Sequence, residues 1–235
     1  MKLIQGDCLE VMKDIPDKSI DMILCDLPYG TTACKWDSII PFEPLWEQYN
    51  RIIKDNGAIV LFGSEPFSSK LRMSNLNMYK YDWVWNKITA KGHLVAKYRP
   101  MQQTENISVF SKSKTNYYPI MIERPSNKIQ TTRECKRTEI MGGTSKPMES
   151  KKYDKWFPKT LLTFKTERGY HPTQKPVALL EYLIKTYTNE GEVVLDNCMG
   201  SGSTGVACKN TNRDFIGIEL DENYFNIAKA RIELA

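Results

Sequence analysis

An α/β domain built on a mostly parallel seven-stranded sheet is the fold class that this 235-residue chain predicts. Three observations carry it. Short apolar runs of strand length alternate with segments whose apolar residues recur at helical spacing, the β-α alternation of a parallel sheet covered by helices on both faces. Two predicted strands end in turns rich in Gly, Pro and Asp, Cys25-Asp26-Leu27-Pro28-Tyr29-Gly30 and the stretch after Asp196, and open α/β sheets bind ligands at that edge. The composition, 41% hydrophobic and 26% charged, is that of an ordinary globular chain, long enough for one large core and a small insert.

In order, Lys2 to Gln5 reads as a strand ending at Gly6-Asp7. Leu9, Val11-Met12 and Ile15 give a short helix that Pro16 closes. Ile20 to Leu24 is a short buried strand. Turn and polar residues from Gly30 to Pro44 predict a loop, which contains Trp36. Leu45, Trp46, Tyr49, Ile52 and Ile53 recur at helical spacing, and Asn56-Gly57 predicts the C-cap of that helix. Ala58 to Phe62 is an apolar strand. Gly63-Ser64-Glu65-Pro66 then turns into a helix over about 67–76. Tyr81 to Asn86 and Ile107 to Phe110 are strand-like with no clear helix between them, which predicts an antiparallel pair.

Residues 112–169 break the alternation. They are rich in Lys, Thr and Ser, with Tyr117, Tyr118, Trp156, Phe157 and Phe164 interspersed, and read as an irregular insert. Regularity returns with a helix over about 177–188, a strand Val193 to Leu195, a Gly-rich loop, a helix near 203–211, a strand Phe215 to Ile218 and an amphipathic helix over 222–233. The expected organisation is one domain from 1–111 with 170–235, interrupted by an insert at 112–169.

Charge singles out the same insert. The chain carries a formal +5, yet residues 112–168 alone hold 14 Lys and Arg against 6 Asp and Glu, so the remainder is net acidic. A basic excess confined to one segment is the footprint of a polyanion-binding surface. The six cysteines form no C-x-x-C and there are two histidines, which argues against a zinc site or a disulfide framework; no metal is expected. No apolar run reaches the ~18 residues of a membrane span, and the N-terminus lacks the apolar core of a signal peptide. These features predict a cytoplasmic protein with reduced thiols and no membrane partner.

Asp26 to Tyr29 and the stretch from Asp196 carry the chemistry. Pro28 fixes its own φ and holds Leu27 extended, so the Leu27 carbonyl is aimed. Asp26 and that carbonyl can together accept both hydrogens of an amino group, and Tyr29 can stack on a flat heterocycle. Alone, the same residues read better as a strand-ending turn with an N-cap Asp. In Asp196-Asn197-Cys198-Met199-Gly200-Ser201-Gly202-Ser203-Thr204 the glycines let a ligand approach the backbone, and the following helix offers free amides. Glu219, at the end of the next strand, is placed to hold ribose hydroxyls.

Together these stretches resemble the β-group of amino-DNA methyltransferases. Asp-Leu-Pro-Tyr resembles the family's Asp-Pro-Pro-Tyr catalytic motif. Asp196 to Thr204 resembles its S-adenosylmethionine loop, and His171-Pro172-Thr173-Gln174-Lys175-Pro176 the segment before that loop. The motif order, catalytic first, then an insert, then cofactor, is the circularly permuted β-group arrangement. Leu27 departs from the family's first proline, and Asn197-Cys198 from its Pro-Phe. The resemblance implies a Rossmann-like S-adenosylmethionine-dependent methyltransferase fold whose basic insert recognises the target.

It also assigns roles. Asp26, Leu27, Pro28 and Tyr29 become the catalytic group. Asp7, Cys8 (through its backbone), Asp26, Thr173, Lys175, Asp196, Asn197, Cys198, Gly200, Ser201, Gly202, Ser203, Thr204 and Glu219 become the cofactor site. Asp7 serves equally well as a helix N-cap on the sequence alone. Trp36, Trp85 and Lys87 become target contacts, with core packing an equal reading for one of Trp83 and Trp85. The implied reaction is direct methyl transfer to the N6 amine of an adenine flipped out of double-stranded DNA, with no enzyme nucleophile. N4-cytosine methylation, RNA methylation and a non-catalytic DNA-binding role are the alternatives. A second copy of the chain and a cognate restriction enzyme, in a bacterial or phage setting, are the further partners the resemblance brings.

Overall fold

Every residue of Ile20–Cys25 is buried, so this strand has to run inside a sheet with cover on both faces. The computed structural model describes residues 1–30, 38–131, 151–167, 169–170 and 173–235; Trp36 lies outside them. The main sheet has eight strands: β1 (Lys2–Gln5), β2 (Ile20–Cys25), β3 (Ile53–Gly63), β4 (Tyr79–Lys91), β5 (Gln102–Phe110), β6 (Leu161–Thr163), β7 (Val193–Asp196) and β8 (Asp214–Glu219). Their order across the sheet is β1-β8-β7-β2-β3-β5-β4-β6. From β1 to β3 all neighbours are parallel. β5 pairs antiparallel with β3 and with β4, and β6 lies parallel to β4.

The expected antiparallel pair is therefore present, and the sheet has one strand more than the sequence predicts. The addition is β6. Its three residues, Leu161-Leu162-Thr163, follow a basic, polar stretch and are too few to show a period. Their pairing with Val84, Trp85 and Asn86 is what makes them a strand.

Among the described residues, six α-helices cover the two faces: α1 (Cys8–Val11), α2 (Phe42–Ile52), α3 (Phe67–Ser74), α4 (Val177–Tyr187), α5 (Ser203–Asn210) and α6 (Glu222–Leu234). Alternation along the strands divides the core accordingly. Met22, Leu24, Val60 and Phe62 face a cluster with Leu179, Leu183, Ala207 and Ala228 of α4, α5 and α6. Ile23, Cys25, Ile59 and Leu61 face Met12 and the buried stripe of α2, Leu45, Trp46, Tyr49 and Ile52, together with Phe67 and Leu71 of α3.

One boundary differs from expectation. Asn56-Gly57 does not cap α2. The helix stops at Ile52, and Ile53 is already extended because it pairs with Ile20, while Ala58 pairs with Met22. Residues 54–57 thus bulge against Asp21 alone. Glycine at 57 answers a close approach: a Cβ there would sit 2.7 Å from the Ile53 side chain and 2.8 Å from the Asp21 carbonyl.

The chain forms two compact units, Met1–Tyr118 with Thr160–Ala235, and Pro119–Lys159. In the second, Ile122–Glu123 pairs with Lys155–Trp156 and Gln130–Thr131 with Lys152–Tyr153. The Trp156 ring anchors it, with Arg124 at 5.6 Å and Lys128 at 5.8 Å from its centroid.

Candidate active site

Parallel pairing brings four acids to one edge. Gln5 pairs with Glu219, Asp196 with Gly217, and Leu195 with Ile23. The carboxyl ends of β1, β8, β7 and β2 are therefore neighbours, and they carry Asp7, Glu219, Asp196 and Asp26 in that order.

At the end of β2 the Leu27 side chain is buried in the core. Asp26 Oδ1 accepts from the Tyr29 hydroxyl at 2.6 Å, and its Oδ2 accepts from Lys175 Nζ. Behind both donors stands Glu105 of β5. Its Oε1 lies 2.9 Å from the Tyr29 oxygen and 3.1 Å from Lys175 Nζ, and its Oε2 pairs with Lys87 Nζ at 2.6 Å. The phenol carries one hydrogen for two carboxylates. Phe67 stacks on the Tyr29 ring with centroids 4.9 Å apart.

The two carboxyl groups are driven apart in pKa. Burial raises Asp26, against the opposing pull of Lys175. Burial also pushes Glu105 up, but Lys175 and Lys87 more than reverse it and hold Glu105 at about 2. Burial lifts the Tyr29 phenol well above its ordinary value, and the two carboxylates beside it add to the rise. Burial pushes the Cys25 thiol up to about 12, so it packs as a neutral group and offers no nucleophile.

After β7 the loop is held by its own acids. Asp196 accepts from the Thr204 hydroxyl at 2.6 Å and from the Cys198 amide at 3.1 Å, and burial raises it to about 6. Glu219 accepts from the Gly200 amide at 2.7 Å and from the Asp221 amide at 3.0 Å. Ser201 and Ser203 face α6, where Arg231 donates to the Ser203 hydroxyl at 2.8 Å. The Asn197 side chain turns inward and accepts from Tyr49 at 2.5 Å. Cys198 is half-buried and Cys8 buried beneath the same edge. Asp7 is exposed and caps α1, accepting from Leu9 N at 2.8 Å. Thr173 is exposed.

The donor set suits S-adenosylmethionine. Gly200 sits at φ +51, and a Cβ built on it meets nothing within 4 Å, so the loop leaves open space above its backbone. Each oxygen of Glu219 has a lone pair beyond the amide it already accepts, which matches a ribose diol.

Of the expected target contacts, Trp85 takes the packing alternative, as Trp83 does. Both indoles are buried, and the Trp85 N–H donates to the Phe164 carbonyl at 2.9 Å. Lys87 is buried in its ion pair with Glu105. Glu105 itself was not anticipated. The signal was there: strand alternation puts residue 105 on the same face as Ile107 and Val109, and an acid on a core face calls for a partner.

A family model described as DNA methylase matches residues 20–230. The chain is 28% identical to the Type II methyltransferase M.HpaI of Haemophilus parainfluenzae over 99% of this chain and 74% of that one. It is 29% identical to the DNA adenine methyltransferase YhdJ of Escherichia coli strain K12, over 99% and 83%. Its fold matches the crystal structure of the M1.HpyAVI–SAM complex with a TM-score of 0.66 at 29% identity, covering 98% of both chains.

Proposed function

The chain belongs to the DNA methylase family, and from that premise we propose that it methylates the exocyclic N6 amine of adenine in duplex DNA, using S-adenosylmethionine. The observation that carries this reading is the catalytic corner, an acid and a proline-fixed carbonyl on the strand next to the one that leads into the Gly-rich loop. Adenine is favoured by Asp at the head of the tetrapeptide and by YhdJ, whose name specifies adenine. S-adenosylmethionine, when bound, supplies a methyl group made electrophilic by its sulfonium. Glu219 and Asp7, with the loop that Asp196 braces at Cys198 and Thr204, would hold its adenosyl part.

Asp26 and the Leu27 carbonyl accept the two hydrogens of the target amine, which draws its lone pair out of conjugation with the ring. For that, Lys175 and Tyr29 release Asp26 and remain on Glu105, which already lies within bonding distance of both. Asp26, its pKa raised by burial, takes up the proton that the methylated amine sheds. Glu105 stays ionised and keeps Lys87 and Lys175 in place. Tyr29, its ring backed by Phe67 at 4.9 Å, would stack on the base. A base in a duplex has to leave its stack first, at a cost of a few kcal/mol. The basic insert of residues 112–169 would hold phosphates and set the site.

The proposal extends to a cognate restriction enzyme, since M.HpaI is named a Type II methyltransferase. It also includes a second copy of the chain and a place in the bacterial cytoplasm. No described helix is long and apolar enough to cross a membrane.

Radiolabelled methyl transfer to unmethylated duplex DNA and to RNA, with Asp26→Ala alongside, tests the reading. Label in DNA with wild type and none with Asp26→Ala is the expected result. Label in RNA alone, or cofactor binding by calorimetry without transfer to any nucleic acid, would overturn it.

A further inference from the structure

Register carries the β4–β5 hairpin past the ligand edge. Gly63, the last residue of β3, pairs with Asn106. Gln102 to Glu105 of β5, paired with β4 up to Lys91, therefore project beyond the end of β3, on the side where Asp26 stands. The base of this projection is bonded to the catalytic corner through Lys87, Glu105, Tyr29 and Lys175. From Glu105 to Gln102 the strand advances about 10 Å, a reach comparable with the depth of a DNA groove, about 8 Å.

The tip has an unusual make-up. Gly92, at φ +94, turns the chain into one 3-10 turn, His93–Val95. Residues 88–104 contain no acid, while Lys91, Lys97 and Arg99 all fall among them. Leu94 is 84% and Tyr98 87% exposed, and Ile88 and Met101 are exposed as well. A single exposed apolar side chain is ordinary. Four of them on one short, acid-free basic projection need a partner that is anionic outside and apolar within. A nucleic-acid duplex is such a partner: phosphates line its surface, and its stacked bases take apolar wedges.

Building on the methyltransferase reading, we propose that residues 91–101 are a finger that enters the duplex beside the target base. Lys97 and Arg99 lie on phosphates, and Tyr98 and Leu94 fill the gap that the extruded base leaves. Flipping costs unstacking energy, and a side chain seated in the vacated slot recovers part of it.

The test uses the full chain with two variants, Lys97→Ala/Arg99→Ala and Leu94→Ala/Tyr98→Ala, thermal unfolding confirming that these exposed changes leave the fold intact. Binding of a duplex by fluorescence anisotropy across a salt series requires no turnover. Lys97→Ala/Arg99→Ala should lower the slope of log K against log salt by about two. Methyl transfer is then measured on a duplex carrying the site mapped from methylated DNA, with the target base paired and with it mispaired. Leu94→Ala/Tyr98→Ala should lose about ten-fold to a hundred-fold on the paired duplex and recover most of that loss on the mispaired one. Wild-type rates and salt slopes in both variants would overturn the finger and leave the methyltransferase reading standing. A salt slope lowered by Lys97→Ala/Arg99→Ala in a protein that transfers no methyl group would do the opposite. A dimer in sedimentation that dissociates in Leu94→Ala/Tyr98→Ala, with equal losses on both duplexes, would make this surface a contact between copies and overturn the proposal.

Discussion

Glu105 balances the catalytic corner by charge. It and Asp26 bring two carboxylates, and Lys87 and Lys175 two ammonium groups, into one buried cluster. Removing one charge from such a cluster leaves another uncompensated. Glu105→Gln should therefore cost about 3 kcal/mol or more in urea unfolding at pH 7. The pH dependence has a definite sign. Glu105 titrates near 2 in the fold against an ordinary 4.5, so the unfolded chain takes up the proton first. Its contribution is complete above pH 4.5 and fades as pH falls toward 2. Glu105→Gln should lose that part of the acid limb, and an unchanged limb would show that the residue carries no such charge. Asp26 was legible in the sequence because a short motif frames it. Its partners were not: Glu105 stands 76 residues from Tyr29 and Lys175 149 from Asp26, and only strand order brings them together.

The loop after β7 separates two uses of glycine. At Gly202, φ is +77 and a Cβ would lie 2.9 Å from the Ala228 Cβ of α6. Gly202→Ala should destabilise the protein by about 2–3 kcal/mol, as overpacking does. At Gly200 a Cβ meets open space, so Gly200→Ala carries only the left-handed backbone cost, about 1 kcal/mol. Its methyl group would instead occupy the room proposed for the cofactor. Thermal unfolding and calorimetric titration of S-adenosylmethionine should split the pair, with stability lost mainly in Gly202→Ala and affinity mainly in Gly200→Ala. Equal affinity in Gly200→Ala and wild type would remove the loop from the cofactor site. Strand, turn and helix were legible here from period and glycine alone. The inward turn of Asn197 to Tyr49 was not, because nothing local distinguishes a buried amide from one facing a ligand. Asn56-Gly57 misled for a related reason: a cap and a bulge ask for the same residues, and only pairing with β2 decides between them.

For the whole molecule, the alternation of elements was enough to give the parallel half of the sheet and its ligand edge. The antiparallel half came through the missing helix between two strands. β6 escaped because three residues carry no period. Charge segregation marked the insert, whereas the hairpin tip went unread because the sequence ends one strand at Asn86 and begins the next at Ile107, and only the register carries the pair on to Lys91 and Gln102. All of these features serve one claim, that Asp26 and the Leu27 carbonyl hold an adenine amine for methylation. Mass spectrometry of nucleosides from DNA treated with the protein and deuterium-labelled S-adenosylmethionine tests it most directly. The account predicts labelled N6-methyladenine with wild type and none with Asp26→Ala. Labelled N4-methylcytosine without methyladenine, or undiminished methyladenine from Asp26→Ala, would contradict it.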